Sequence, residues 1–151
     1  MTLDTATRRN LELTETIRNG DAQGSLLFII DHTVSPMGKR LIREWISKPL
    51  LDIPAIQARQ QGVTFFIGNG LLRAEFFDAL KSIIDIERVT NRIISGHATP
   101  RELSALRVTL QKLPSLKEIF SRNTPDNKTG SNLNTCDEVR ALLEKALSDV
   151  P

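Results

Sequence analysis

Apolar side chains recur every three or four positions along most of the chain, which is the spacing of one face of an α-helix. The clearest helix start follows Ser35, because a serine hydroxyl suits the N-cap and Pro36 suits the first helical position. Pro49 then ends this helix near Ser47. Its apolar face is predicted to contain Met37, Leu41, Trp45 and Ile46.

The same periodicity predicts three further helices between residues 52 and 96. Asp52 is the predicted N-cap of the first helix, which ends at the glycines 68 and 70. A second helix follows. Asp85 begins the third, and Gly96 supplies its C-terminal cap. The residues expected to point inward are Ile56, Val63, Phe66, Ile67, Leu72, Phe76, Phe77, Leu80, Ile86, Val89 and Ile93.

The stretch SGHATPRELSALRVTL, residues 95–110, contains the pattern of a capping box. Thr99 and Glu102 are spaced so that each side chain reaches the other's backbone N–H, and Pro100 suits the first helical position. The same spacing recurs at Ser115 with Glu118 and at Thr135 with Glu138. Three helix starts are therefore predicted. Their apolar stripes are Leu103, Leu106, Leu110 and Leu113, then Leu116, Ile119 and Phe120, then Val139, Leu142, Leu143 and Ala146.

Two N-terminal segments are less regular. In LELT, residues 11–14, Leu11 and Leu13 alternate with polar residues, which fits a short strand whose partner lies outside the chain. SLLFIIDH, residues 25–32, fits a short buried helix, with a strand as the alternative. The predicted fold is all-α, a helical bundle with at most this one short strand. Its predicted parts are a lead-in segment at 1–20, a helical core at 21–120, a flexible loop at 121–132 and a last helical segment at 133–151.

Composition fits an ordinary globular domain. The 151 residues are 40 % hydrophobic and 25 % charged, which is enough to bury one core. The formal net charge of +2 gives little overall attraction to phosphates or acidic lipids. Cys136 is the one cysteine and forms no internal disulfide. With no signal-peptide pattern and no apolar run of membrane-spanning length, the expected location is the cytoplasm, with no membrane contact.

Candidate catalytic patterns are largely missing from the sequence. PMGKRL resembles a phosphate-binding loop only superficially, since it lacks the first glycine and the Ser/Thr that holds magnesium. His32 and His97 lie far apart without zinc-ligand spacing, and Cys136 has no histidine nearby. No catalytic, cofactor-binding or metal-binding residue is predicted.

Two charged groups have structural interpretations. Asp85 and Glu87 lie two positions apart, so they do not face each other on a helix, and capping is preferred to acid–base chemistry. Arg88 and Arg92 lie four apart and are expected to join ion pairs between helices.

A basic side of the helix after Ser35 is the remaining candidate, as a weak DNA-binding face or a face toward another domain. It consists of Lys39, Arg40, Arg43 and Lys48.

Three blocks of the sequence resemble, in order, the start of the core domain of the MutS family of DNA mismatch-repair proteins. They are LDTATRRNLELTETIRNG, SLLFIIDHTVSPMGKRLIREWISKPLLDIPAIQARQQGV and DIERVTNRIISGHATPRELSALRVTLQKLP. The resemblance extends from about Leu3 to about Leu147. One departure is at Gln61 and Gly62, where the family usually has an aspartate–alanine pair before the valine.

The resemblance implies that the chain is a fragment, the helical core or lever, and not itself an enzyme. In whole MutS-family proteins this region joins the connector domain to the clamp and to an ABC-type ATPase. The parent is then a homodimer that binds mismatched duplex DNA and uses ATP and magnesium. The Phe-x-Glu wedge and the Walker motifs of such proteins are absent from this sequence. The alternative is a stand-alone helical adaptor that binds a protein partner and has no DNA role.

Overall fold

The computed structural model describes residues 3–123 and 133–147, which form α-helices and no strand. This confirms the all-α prediction. The helices are α1 (Thr5–Asn10), α2 (Leu26–Ile30), α3 (Pro36–Ser47), α4 (Ile53–Gly68), α5 (Gly70–Lys81), α6 (Ile86–Ile94), α7 (Pro100–Asn123) and α8 (Asp137–Ala146). Of the flexible loop predicted at 121–132, the first three residues belong to α7, and 124–132 lie outside the described residues.

The chain divides into two compact units, Met1–Gly68 and Asn69–Pro151. In the first unit, residues 11–14 form a turn in place of the short strand. Glu12 has a left-handed backbone with a φ of 47°, and the carbonyls of Glu12 and Leu13 accept hydrogen bonds from the N–H groups of Leu26 (3.0 Å) and Leu27 (2.9 Å). Those amides begin α2 and have no partner within the helix. The strand prediction was wrong because these carbonyls pair with a helix N-terminus.

Helix α2 is the short helix expected from SLLFIIDH, but it is mostly exposed. Ser25 caps it, since its hydroxyl accepts a hydrogen bond from the N–H of Phe28 (3.2 Å) and donates one to the carbonyl of Ala22 (2.7 Å). Ser25 and Leu27 are buried. Several apolar residues predicted inside the first unit are exposed, namely Leu26, Ile29 and Ile30 of α2, Leu41 and Trp45 of α3, and Val63 and Ile67 of α4.

The second unit is built around α7, which contacts α5, α6 and α8. Phe76 of α5 packs edge-on against Phe120 with ring centroids 4.5 Å apart. On the side of α8, the amide of Gln111 donates to the carboxylate of Glu144 (2.9 Å). The buried stripe of α7 consists of Leu106, Leu110, Leu113, Leu116 and Ile119. This stripe forms the core of the unit, to which Leu72, Ile83, Val89 and Leu143 also contribute buried side chains.

Two polar side chains of α7 hold the connection between α5 and α6. Thr109 is almost fully buried, and its hydroxyl accepts a hydrogen bond from the N–H of Ile84 at 3.4 Å. The ammonium of Lys112 donates to the carbonyl of Ser82, also at 3.4 Å. A buried hydroxyl without a partner would be costly, so the bond to Ile84 accounts for a threonine in this apolar stripe.

The helix start predicted at Ser115 with Glu118 was wrong, because α7 continues through Pro114 and both residues lie inside it. An internal proline costs about 3 kcal/mol in a helix. Here buried residues continue on both sides of the proline, at Leu110, Leu113, Leu116 and Ile119. Burial of these side chains, at about 1.5–3 kcal/mol each, outweighs the cost of the proline.

The capping box predicted at Thr135 with Glu138 was also wrong. Helix α8 begins one residue later, after Cys136, whose backbone is left-handed with a φ of 53°. The side chain of Asn134 accepts a hydrogen bond from the N–H of Cys136 (2.8 Å), and the hydroxyl of Thr135 donates to Asp137 (2.8 Å). Because the Thr135 hydroxyl bonds to the Asp137 carboxylate, it does not cap α8. Leu143 of α8 is buried, whereas Val139 and Leu142 are exposed.

Replacing Leu110 by alanine tests the role of the α7 stripe. Leu110 is only 3 % exposed, so Leu110→Ala is expected to lower the free energy of unfolding by about 2–5 kcal/mol. Val108 in the same helix is 44 % exposed, and Val108→Ala should cost less than about 1 kcal/mol. Urea denaturation followed by far-ultraviolet circular dichroism measures both. Equal losses in the two variants would contradict the assignment of the core.

Candidate functional site

The basic side of α3 is positioned by the cap at its start. The hydroxyl of Ser35 accepts a hydrogen bond from the N–H of Gly38 (3.1 Å), and Pro36 occupies the first helical position. A side chain at position 38 would come within 3.1 Å of that hydroxyl, so the glycine permits the cap to close tightly. This cap fixes the start of the helix that carries the basic residues.

The four predicted basic residues do not act as one group. Lys39, Arg40 and Arg43 are spaced by one, three and four positions, so they lie along one exposed side of the helix. Lys48 instead forms an ion pair with Glu44 at 3.1 Å. Both partners of this pair are well exposed, so the pair stabilises little, but it offsets the charge of Lys48.

Trp45 lies beside the basic side and is 41 % exposed, whereas the sequence predicted it on an apolar, inward face. The guanidinium of Arg59 in α4 lies over its ring, 3.7 Å from the centroid. This is a cation–π contact, worth about 0.5–1 kcal/mol at an exposed site. It joins α3 to α4 and occupies one face of the indole. The role of Arg59 was missed from the sequence, since no local spacing relates residues 45 and 59.

In the second unit, several polar contacts meet at the junction of α6 and α7. Asp85 caps the start of α6 by accepting a hydrogen bond from the N–H of Arg88 (3.1 Å). At the other end, the N–H of Gly96 donates to the carbonyl of Ile93 (3.0 Å) and that of His97 to the carbonyl of Arg92 (2.8 Å). This pair of bonds is a Schellman motif, which requires the left-handed φ of 72° found at Gly96.

Helix α7 begins three residues later with the Thr99–Glu102 box. The N–H of Thr99 donates to the carboxylate of Glu102 (2.8 Å), and the N–H of Glu102 donates to the Thr99 hydroxyl (3.3 Å). Arg92 then joins the two helices, since its Nε lies 2.7 Å from the second oxygen of Glu102 and its Nη2 donates to the carbonyl of His97 (2.6 Å). We call Arg92, His97, Thr99 and Glu102 the α6–α7 junction.

The junction favours the ionised form of Glu102. The hydrogen bond from the Thr99 backbone, with further contributions from the Thr99 hydroxyl and Arg92, lowers the pKa of the Glu102 carboxyl below its ordinary value of 4.5. The carboxylate therefore remains charged at neutral pH and can serve the box and the ion pair together.

The remaining candidates from the sequence are the two histidines and the cysteine. His32 and His97 are exposed, and Cys136 precedes α8. Within residues 3–123 and 133–147, no group of three or more His, Cys, Asp or Glu side chains is arranged to hold a metal ion. In that same part of the chain, no helix is long and apolar enough to cross a membrane.

Comparison with known proteins identifies the family to which these helices belong. The family model of MutS domain III matches residues 6–151. The chain belongs to the MutS domain III family. Many proteins named DNA mismatch repair protein MutS are similar to it.

Three of these relatives illustrate the similarity. That of Alkaliphilus oremlandii is 43 % identical over 153 residues, which cover the whole chain and 17 % of the relative. That of Pelotomaculum thermopropionicum is 42 % identical over 154 residues, covering the whole chain and 18 % of the relative. That of a Synechococcus species is 49 % identical over 117 residues, or 78 % of the chain and 13 % of the relative. The MutS domain III chain thus spans less than a fifth of the relatives' length.

Removing the cation above Trp45 is expected to expose the indole. In Arg59→Ala, the emission maximum should move to longer wavelength and acrylamide should quench more strongly, because one face of the ring is uncovered. The chain has one tryptophan and no tyrosine, so the emission reports Trp45 alone. Arg18→Ala, in an exposed turn, is the control and should leave the spectrum unchanged. Unaltered quenching in Arg59→Ala would refute the contact.

Neutralising Glu102 is expected to make stability less dependent on pH. Because the pKa of Glu102 is lowered in the folded protein, its contribution is present above the unfolded-state pKa and is lost as the pH falls through the folded-state value. The urea midpoint of Glu102→Gln should therefore lie below that of the wild type at pH 7, with the gap closing below about pH 4.5. Glu75→Gln, which removes an exposed carboxylate from the interior of α5, is the matched control. A gap that stays constant with pH would contradict this role of the charge.

Proposed function

We propose that the chain is the helical core of a longer DNA mismatch-repair protein and that it transmits conformational change between the other domains. The relatives are named DNA mismatch repair proteins, and the chain matches one domain of them. In this proposal the connector, clamp and ATPase domains are the partners. The longer protein is a homodimer that binds mismatched duplex DNA and uses ATP and magnesium, while the chain itself performs no catalysis.

The observation that carries the proposal is the α6–α7 junction. Transmission over a distance requires elements that keep their shape when one end is displaced. Arg92 contacts both the chain leaving α6 and the first turn of α7, and α7 in turn packs against α5 and α8. A displacement of α6 would therefore be passed to α7 instead of being absorbed in the connecting loop.

The basic side of α3 has a place in the same proposal. Lys39, Arg40 and Arg43 are proposed to face another domain of the longer protein. Two observations support this over a DNA-binding role: Arg59 already covers one face of Trp45, and Glu44 offsets Lys48. A covered indole face disfavours base stacking, and a smaller positive charge gives weaker attraction to the phosphates of a duplex. A stand-alone adaptor is not favoured, because the similarity is to a domain of a larger protein.

The test separates DNA binding from transmission in the longer protein. The double variant Thr99→Val with Glu102→Gln loosens the junction without altering any basic residue. Affinity for mismatched duplex, measured by fluorescence anisotropy, should stay within about twofold of the wild type. Stimulation of ATP hydrolysis by that duplex should fall at least about fivefold, the lower end of typical coupling between sites.

Glu138→Gln serves as the matched control and should leave both quantities unchanged. Thermal unfolding shows whether the double variant remains folded and whether its junction is weakened. Normal stimulation in a folded protein with a weakened junction would overturn the proposed role, as would a loss of affinity equal to the loss of stimulation.

A further inference from the structure

A polar cleft lies between α1 and the turn that follows it, apart from the basic side of α3 and from the α6–α7 junction. Its volume is about 630 Å³, within the range of small-molecule sites. Arg8 and Arg9 line one wall, and three threonines and Asn19 contribute hydroxyl and amide groups. The lining includes a single carboxylate, Glu15.

Backbone hydrogen bonds fix the shape of this cleft. The carbonyls of Arg8 and Arg9 accept from the N–H groups of Leu13 (3.3 Å) and Glu12 (3.0 Å), which hold α1 against the turn. On the opposite wall, the N–H of Thr16 donates to the carbonyl of Asp21 at 2.8 Å. The N–H of Ile17 also donates to the Glu12 carboxylate, at 2.7 Å. A ligand would therefore meet a wall that is already formed, which lowers the cost of binding.

The two guanidinium groups differ in what they already bind. The Nε of Arg8 donates to the carbonyl of Leu3 at 3.0 Å, which orients the planar group and leaves its outer nitrogens for another acceptor. Within the described residues, the side chain of Arg9 has no hydrogen-bond or ion-pair partner, and neither does that of Glu15. Two arginines with neighbouring hydroxyls match the oxygens of a phosphate. Glu15 accepts hydrogen bonds and so matches a hydroxyl on the same ligand.

We propose that this cleft binds a phosphate group carried on a hydroxyl-bearing ligand of the sugar-phosphate class. Arg8 and Arg9 bind the phosphate, Thr14 and Thr16 donate to its oxygens, and Glu15 accepts from a sugar hydroxyl. The site goes beyond the proposed transmission role and does not depend on it. The same chemistry is offered by a free sugar phosphate and by the terminal phosphate of a nucleic acid strand.

Titration of the ¹⁵N-labelled chain tests the site residue by residue. Ribose 5-phosphate should produce saturable amide shifts at Thr14, Thr16 and Asn19 with a dissociation constant of roughly 1 mM, and ribose without phosphate should produce none. A short 5′-phosphorylated oligonucleotide is the second arm. Shifts with ribose 5-phosphate alone identify a free compound as the source, and shifts at the same amides with both probes extend the site to nucleic acid ends.

Two variants decide whether the cleft itself is responsible. Arg9→Gln should weaken ribose 5-phosphate binding at least about tenfold, while Arg18→Gln, which removes the same charge from the turn after α1 and outside the lining, should leave it unchanged. The proposal fails if no amide of the cleft shifts at about 10 mM ligand. It also fails if both variants weaken binding equally, or if the shifts follow the basic side of α3. Both variants alter exposed side chains, so the spectrum of each free protein verifies its fold.

Discussion

Burial of the leucine-rich stripe of α7 is the interaction on which the second unit depends. Each leucine contributes about 1.5–3 kcal/mol by leaving water, and the stripe supplies five buried residues in succession. Helices α5, α6 and α8 have no comparable stripe of their own, since each contributes only one buried side chain. The polar contacts at Thr109 and Lys112 then fix where these helices lie against α7, but they would not hold the unit together alone.

The first unit depends less on the burial of apolar side chains. Among the described residues of this unit, the buried side chains are Leu13, Ser25 and Leu27, and hydrogen bonds join a turn to the first amides of α2. Large apolar side chains on α2, α3 and α4 remain in contact with solvent. Apolar surface on this scale is typical of a face that another part of a protein covers. This fits a chain that matches less than a fifth of its relatives' length.

Local signals in the sequence were sufficient at several helix ends, where a side chain acts within three residues of its own position. The caps at Ser35, Asp85 and Thr99 are of this kind, and so is the glycine that ends α6. Prediction was wrong where a distant contact decides the outcome, and also at Thr135, whose hydroxyl bonds to Asp137 instead of capping α8. The spacing of Ser115 and Glu118 predicts a new helix start, yet α7 continues through Pro114. Periodicity placed Trp45 on an apolar face but carried no information about Arg59, which lies over it.

Pro114 has a mechanical consequence for α7. Proline has no N–H, so the carbonyl of Leu110 lacks the donor that would normally stand four residues ahead of it. The N-terminal part of the helix carries the contacts to α6 and α8, and the C-terminal part carries Phe120 against α5. One backbone hydrogen bond of α7 is therefore missing, at a position between two parts of the helix that contact different neighbours. Bending of α7 would therefore occur mainly at Pro114, between two straight helical segments.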